Sequence, residues 1–158
     1  FSDLHAYAIN SCLTTKSFEK IGLTFTSYDN GNFNDINYED LNYEKEKEYY
    51  EHIKKDMILK LKNEFAGINT TNIKQDINSR RFIYTSDSCI SLAHFLFRDN
   101  ILDCKYFLRS SNTKDILKYD LNFLKYLTKC VYDFLNLENI KTRIKVTINS
   151  AHIPIIID

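Results

Sequence analysis

An α+β domain is what this sequence predicts: one mainly antiparallel or mixed sheet with helices packed over it. Three observations lead there. Segments Cys89–Phe97, Ile101–Leu108 and Arg143–Ile148 alternate apolar and polar residues with the period of a strand. Two longer segments, Tyr38–Phe65 and Asp120–Leu135, repeat their apolar residues with the period of a helix. At 158 residues and 44% hydrophobic content, the chain is long enough for one sizeable core, and residues 1–158 read as a single domain.

In chain order, Ser2 is an N-cap candidate for a short amphipathic helix whose apolar positions are Leu4, Tyr7, Ala8 and Cys12. Phe18–Tyr28 is rich in β-branched and aromatic residues and reads as a strand or hairpin, with Gly22 inside it. Asp29–Asn37 is turn-forming and polar. Tyr38–Phe65 follows as a long helical stretch, with a break expected near Lys55-Asp56. Its apolar stripe would be Tyr43, Tyr50, Ile53, Met57, Ile58, Leu61 and Phe65. The Glu/Lys alternation, which includes His52, reads as a solvated face with i,i+4 pairing.

Gly67–Asn78 is loop-like, and Arg81–Tyr84 a short strand. Cys89–Phe97 and Ile101–Leu108 form a hairpin around the two-residue turn Asp99-Asn100. Asp120 opens a helix that buries Leu121, Leu124, Leu127, Val131, Phe134 and Leu135. A last strand covers Arg143–Ile148, and the single proline, Pro154, suits a strand start or an edge.

A formal net charge of zero argues against a dedicated nucleic-acid binder. No apolar run approaches the roughly 18 residues of a membrane span, so a soluble, cytoplasmic protein is expected. The four cysteines, Cys12, Cys89, Cys104 and Cys130, show no metal-ligand spacing. They read as reduced thiols, as in an intracellular protein, and no metal is expected.

The stretch from Ser79 to Asp120 concentrates the residues that could carry chemistry. A lone cysteine in an apolar strand is ordinarily an inert core residue. Cys89, however, heads its strand and follows the basic pair Arg80-Arg81, and cationic neighbours lower a thiol pKa. Arg109-Ser110 ends the second strand, where a guanidinium beside a hydroxyl suits a phosphate as well as it suits a surface ion pair. Taken singly, Asp120 fits a helix N-cap and His152 a structural histidine.

Taken together, these residues carry a resemblance. Arg80-Arg81, Cys89, Arg109-Ser110, Asp120 and Ser150-Ala151-His152, in that order and spacing, resemble the catalytic half of the thymidylate synthase superfamily. That superfamily includes the deoxycytidylate hydroxymethylases and short phage-type relatives. The likeness covers residues 79–154; Asp56–Glu64 corresponds loosely to the segment bearing the family's catalytic glutamate.

The resemblance implies a thymidylate synthase-like fold and a homodimer joined through the sheet. It also implies a pyrimidine nucleoside monophosphate as substrate and 5,10-methylenetetrahydrofolate as one-carbon donor. Cys89 would be the nucleophile that adds to C6 of the base, and Glu64 would move a proton through water. Arg109 and Ser110 would hold the phosphate, joined by Arg80 and Arg81 from across a two-fold axis. His152 would contact the sugar. Asp120 stands where uracil-using members carry asparagine, which favours cytidylate over uridylate.

The sequence also departs from the family pattern. Leu108 and His94 replace glutamines, and Pro154 a tyrosine that helps bind the sugar. Asn112 stands at the folate-contacting aspartate, and the sequence stops at Asp158, whereas long members continue to a C-terminal segment that closes over folate. The alternative expectation is therefore a catalytically degenerate member acting as a nucleotide-binding or structural subunit.

Overall fold

The computed structural model describes residues 2–67 and 78–154. Helix α1 (Ser2–Leu13) leads into β1 (Glu19–Asp29), a 3-10 turn (Asp40–Asn42) and α2 (Lys47–Gly67). After β2 (Ile83–Thr85) come β3 (Ile90–Arg98), β4 (Ile101–Asn112), α3 (Leu117–Phe134) and β5 (Lys141–His152). The five strands form one mixed sheet in the order β1-β5-β4-β3-β2. Only β4 and β5 run parallel, and α3 is the crossover between them.

The expected hairpin is present: β3 pairs antiparallel with β4 around Asp99 and Asn100, whose φ values of 54° and 57° fit a primed two-residue turn. Helix α3 buries Leu121, Leu124, Leu127 and Val131 as its periodicity requires, and adds Leu117 and Phe123. On α2, Tyr50, Ile53, Met57 and Leu61 are buried, and Ile58 is half-buried. The Phe65 side chain and nearly all of the loop expected at Gly67–Asn78 lie outside the described residues, as does the tail from position 155.

Several boundaries differ from expectation. Helix α2 runs unbroken through Lys55-Asp56; the interruption lies upstream, between the 3-10 turn and Lys47. The second helix of the core starts at Leu117, and its N-cap is Ile116 with no side-chain cap, so Asp120 is not a capping residue. Its carboxyl turns inward instead. Pro154 follows β5 and belongs to no strand. Strands β4 and β5 each continue about four residues past the point where alternation stops.

That extension positions the site. In β4, Leu102, Cys104, Tyr106 and Leu108 are buried at every second residue, and the next buried residue is Ser111. Strand β5 repeats the pattern: Thr142, Ile144, Val146 and Ile148, then Ala151. The two slips are level, since Leu108 pairs with Ile148 and Ser111 with Ala151. Gly22 of β1 lies at the same level, between the pairs Ile21–Ser150 and Leu23–Ile148, with φ +68°. A shared change of phase thus lets Leu108 and Ser111 face the helices while Arg109 and Ser110 between them stay accessible.

The helix-bearing face holds the core. The opposite face carries Thr24, Thr26, Lys105, Phe107 and Arg109, all exposed. The β1–α2 connection is held by ion pairs to a buried lysine. Lys125 of α3 bonds Asp35 and lies 3.3 Å from Asp29. Asp29 Oδ1 also accepts from the Gly31 backbone N–H at 2.7 Å.

Gly31 has φ +86°, and a Cβ there would fall 2.6 Å from Ile140 O and Tyr132 Oη. Gly22 at φ +68° has nothing within 4 Å of its Cβ position. Replacing Gly22 by alanine therefore costs the backbone strain alone, about 1–2 kcal/mol. Gly31→Ala adds a steric clash and lowers stability further; urea midpoints of the two variants check the order.

Candidate functional site

The C-terminal end of β4 and the turn leading into β3 bring together most of the residues singled out in the sequence. Cys89 lies immediately before β3, half-buried, with its carbonyl accepting the Arg109 N–H at 2.7 Å. That backbone bond puts the two side chains side by side. Cys89 Sγ is 4.0 Å from an Arg109 guanidinium nitrogen and 3.9 Å from Ser110 Oγ. Thiol, guanidinium and hydroxyl therefore form one cluster at the sheet edge of the site.

Directly beyond Ser110, Ser111 Oγ donates to Asp120 Oδ2 at 3.3 Å. Tyr50 Oη donates to Oδ1 of the same carboxyl at 2.7 Å. Asp120 is 5% exposed. Burial pushes it up to about 7, against the Tyr50 hydrogen bond that lowers it; the nearby Glu46 adds to the rise and Ser111 opposes it. Burial also raises Glu46, and burial with the Asp120 charge raises Tyr50 far above the usual phenol range.

Tyr49, one residue before Tyr50 on the first turn of α2, reaches the residues flanking Cys89. Its hydroxyl donates to Ser88 Oγ at 3.0 Å and accepts the Ile90 N–H at 2.9 Å. The turn Ser86–Ile90 is further held by Ser86 Oγ, which donates to Ile90 O at 2.9 Å. Two consecutive tyrosines thus tie the cysteine turn and the buried acid to the same helix.

His152 and Asn112 are paired residues on β5 and β4, at the same end of the sheet. The Asn112 amide is occupied locally: Oδ1 accepts the Lys114 and Asp115 N–H groups, and Nδ2 donates to Asp115 at 3.1 Å. His152 Nδ1 lies 3.4 Å from Ser150 O.

Two sequence expectations are corrected. Arg80 and Arg81 are not beside Cys89. The Arg80 carbonyl bonds His94 Nε2 at 3.0 Å, five residues along from Cys89, or about 16 Å of strand. Both arginines line a cleft of about 560 Å³ with Asn78, Ser79, Arg98 and Asp99. Glu64 accepts from Ser79 Oγ at 3.2 Å, near that same end. It lies about 22 Å farther along α2 than Tyr49, because a helix rises 1.5 Å per residue. Glu64 cannot serve a base held at Cys89 of the same chain; Glu46, just ahead of α2, is the glutamate that senses Asp120.

Sequence reading missed Tyr49, Ser111 and Glu46, and took Tyr50 only as core. The adjacent tyrosines at a helix start were the available signal. His52, expected on a solvated face, pairs with Asp56 at 3.2 Å in an exposed position. All four cysteines are free. No helix among the described residues is long and apolar enough to cross a membrane.

No family model matches this chain, and no curated protein matches it. Among solved structures, a thermostable thymidylate synthase A from Bacillus subtilis is similar with a TM-score of 0.45 and 14% identity. The match covers 51% of this chain and 32% of that chain, so this chain spans about a third of that protein's length. Likeness that distant leaves the chemistry to the side chains around Cys89.

Asp120 gives a signed pH dependence. Its shift from 3.8 to about 7 means the folded state holds a proton that the unfolded chain releases between those values. Its contribution to stability is therefore full below about 4 and lost as pH rises through about 7, at most about 4 kcal/mol. Relative to wild type, Asp120→Asn should gain stability as pH rises from about 4 to 8. A difference that stays flat in chemical denaturation would exclude the buried, protonated carboxyl.

Proposed function

We propose that this chain is a pyrimidine-nucleotide C5 methyl- or hydroxymethyltransferase-like enzyme of the thymidylate synthase kind, favouring a cytidylate over a uridylate. The observation that supports it most is the cluster of Cys89 Sγ, the Arg109 guanidinium and Ser110 Oγ within about 4 Å, one strand residue from the Ser111–Asp120 contact. A nucleophile, an anion-binding group and a polar reader of a base edge are the parts this chemistry needs.

In this reading the Cys89 thiolate forms a bond to C6 of the base. The C5–C6 π pair moves onto C5, which becomes an enamine-like carbon nucleophile. Protonation at C5, loss of the original C5 proton to water and expulsion of the thiolate return the nucleotide with its C5 hydrogen exchanged. Arg109 and Ser110 hold the phosphate, Asp120 reads the N3–C4 edge of the base, and His152 reaches the sugar.

Cytosine offers an N4–H donor beside an N3 acceptor. A neutral carboxyl, with one donor and one acceptor oxygen, meets both, and an unmet buried polar edge is costly. The raised Asp120 supports that role.

Arg80 and Arg81 would serve the phosphate only from a second copy, since within the chain they sit at the far end of β3. A homodimer through the helix-free sheet face suits this. On that face Asp103 Oδ1 is buried with no hydrogen-bond partner among the described residues, while Oδ2 takes Arg143 at 2.7 Å. The residues do not fit 5,10-methylenetetrahydrofolate: Asn112, assigned to it by position, spends its amide on its own loop. No step is therefore routed through that donor. We take residues 1–158 as one domain of a cytoplasmic protein acting on nucleoside monophosphates, with neither membrane nor nucleic acid as partner.

A second reading has a specific observation behind it. Glu64 is bonded to Ser79 far from the thiol and the Asn112 amide is bonded within its own loop rather than free for a folate, as a degenerate, nucleotide-binding or structural member would have it. Tritium release from C5-labelled dCMP and dUMP separates the two. The enzyme reading expects release, faster from dCMP and abolished in Cys89→Ala. Binding without release from either base leaves the nucleotide-binding protein, and absence of both leaves a structural role. Arg109→Gln should weaken nucleotide binding about 10- to 100-fold in calorimetry while leaving the corresponding nucleoside unaffected.

A further inference from the structure

Asp120 has two oxygens and two unlike donors. Tyr50 is 2% exposed, its ring stacked on Phe123 at 4.1 Å between centroids, so its hydroxyl points in one direction. Ser111 is a short side chain whose hydroxyl can rotate to donate or accept. The Tyr50 hydroxyl donates to Asp120 Oδ1 at 2.7 Å.

We propose that Tyr50 is the residue that positions the base reader: by donating to Asp120 Oδ1 it makes that oxygen an acceptor only and so selects which pyrimidine edge the site takes. The inference rests on the nucleotide reading above and names the origin of its selectivity. Were Oδ1 protonated, the Tyr50 hydroxyl would have to turn its own hydrogen away from Asp120, the acceptor it bonds at 2.7 Å. The proton of neutral Asp120 therefore rests on Oδ2, where Ser111 can turn to accommodate it.

The consequence is chemical. A carboxyl free to exchange its donor and acceptor oxygens matches cytosine in one arrangement and uracil in the other, because the two bases reverse donor and acceptor along N3 and the C4 substituent. A carboxyl with its proton pinned to one oxygen matches only one of them. Titratable groups that face Asp120 are Tyr50 and Tyr49 from the first turn of α2 and Glu46 just before it; Ser111 from β4 is uncharged.

Tyr50→Phe keeps the stacked ring and deletes the hydroxyl. Calorimetric binding of dCMP and dUMP to the full chain is the first readout. Wild type should prefer dCMP, and Tyr50→Phe should lose about tenfold of that preference. Ser111→Ala, which leaves the Tyr50 bond in place, should weaken both nucleotides alike and keep the preference. The second readout needs no nucleotide: the carboxyl ¹³C titration of Asp120 should move to higher pH in Tyr50→Phe, since a hydrogen bond to the carboxylate is lost.

A wild type without preference, or a Tyr50→Phe variant with an undiminished one, overturns the proposal. So does a Ser111→Ala variant that loses it. If wild type binds neither nucleotide, the nucleotide reading of the site falls. The titration then still judges the Tyr50–Asp120 lock, which an unmoved midpoint overturns.

Discussion

The site depends on a departure from regular pleating at one level of the sheet. A strand that alternates without interruption would send Leu108 and Ser110 to the helices and Ser111 to the opposite face. The shared slip in β4 and β5 instead turns Ser111 toward Asp120 and leaves Arg109 and Ser110 beside Cys89. Because Leu108 pairs with Ile148 and Ser111 with Ala151, neither strand could make the slip alone without breaking register with the other. The glycine of β1 at the same level, with φ +68°, extends it to the edge. One local irregularity thus separates a core row of large apolar side chains from a short polar row that can meet a ligand.

Helix α2 supplies the complementary half. Its Tyr50 is both a core residue, packed on Phe123, and a donor to a buried acid. Its Tyr49 bonds the cysteine turn. Burial of Asp120 is tolerated because both carboxyl oxygens are hydrogen-bonded and the group can take up a proton; an ionised, unpaired carboxyl in that position would cost several kcal/mol. Lys125 shows the other solution to the same problem on the same helix: it stays buried by pairing with Asp29 and Asp35. Asp120 pairs with no such cation among the described residues; its partners are the hydroxyls of Tyr50 and Ser111.

Much of the fold was legible because local patterns and global packing agree. The hairpin turn at Asp99-Asn100, the stripe of α3 and the inward Ala93 and Phe95 of β3 follow from period and turn chemistry, whereas the bulge that also turns Ile90 inward does not. The misread boundaries share a physical cause. Alternation was followed to Leu108 and Ile148 and no farther because the pattern truly ends there, although both strands continue to Asn112 and His152. Asp120 looked like a cap because acids favour helix starts; a helix capped at Ile116 without a side-chain bond offers no such sign. Glu64 followed from loose correspondence along the chain, and helix length alone carries it away from the thiol.

What sequence by itself determined was the set of elements and the short-range partnership of Cys89 with Arg109 and Ser110. A hairpin closed by a two-residue turn brings Cys89 within one residue of both Arg109 and Ser110, and a bulge between Ile90 and Leu92 then sets Arg109 opposite it, so that contact is encoded within about twenty positions. Tertiary structure alone decided the partners of Asp120, the distance of Arg80, Arg81 and Glu64 from the thiol, and the tyrosines that hold both halves together. Those depend on how α2 and α3 dock on one face and on where the strands slip. Docking and slip are set by packing between segments far apart in the chain, which no local period records.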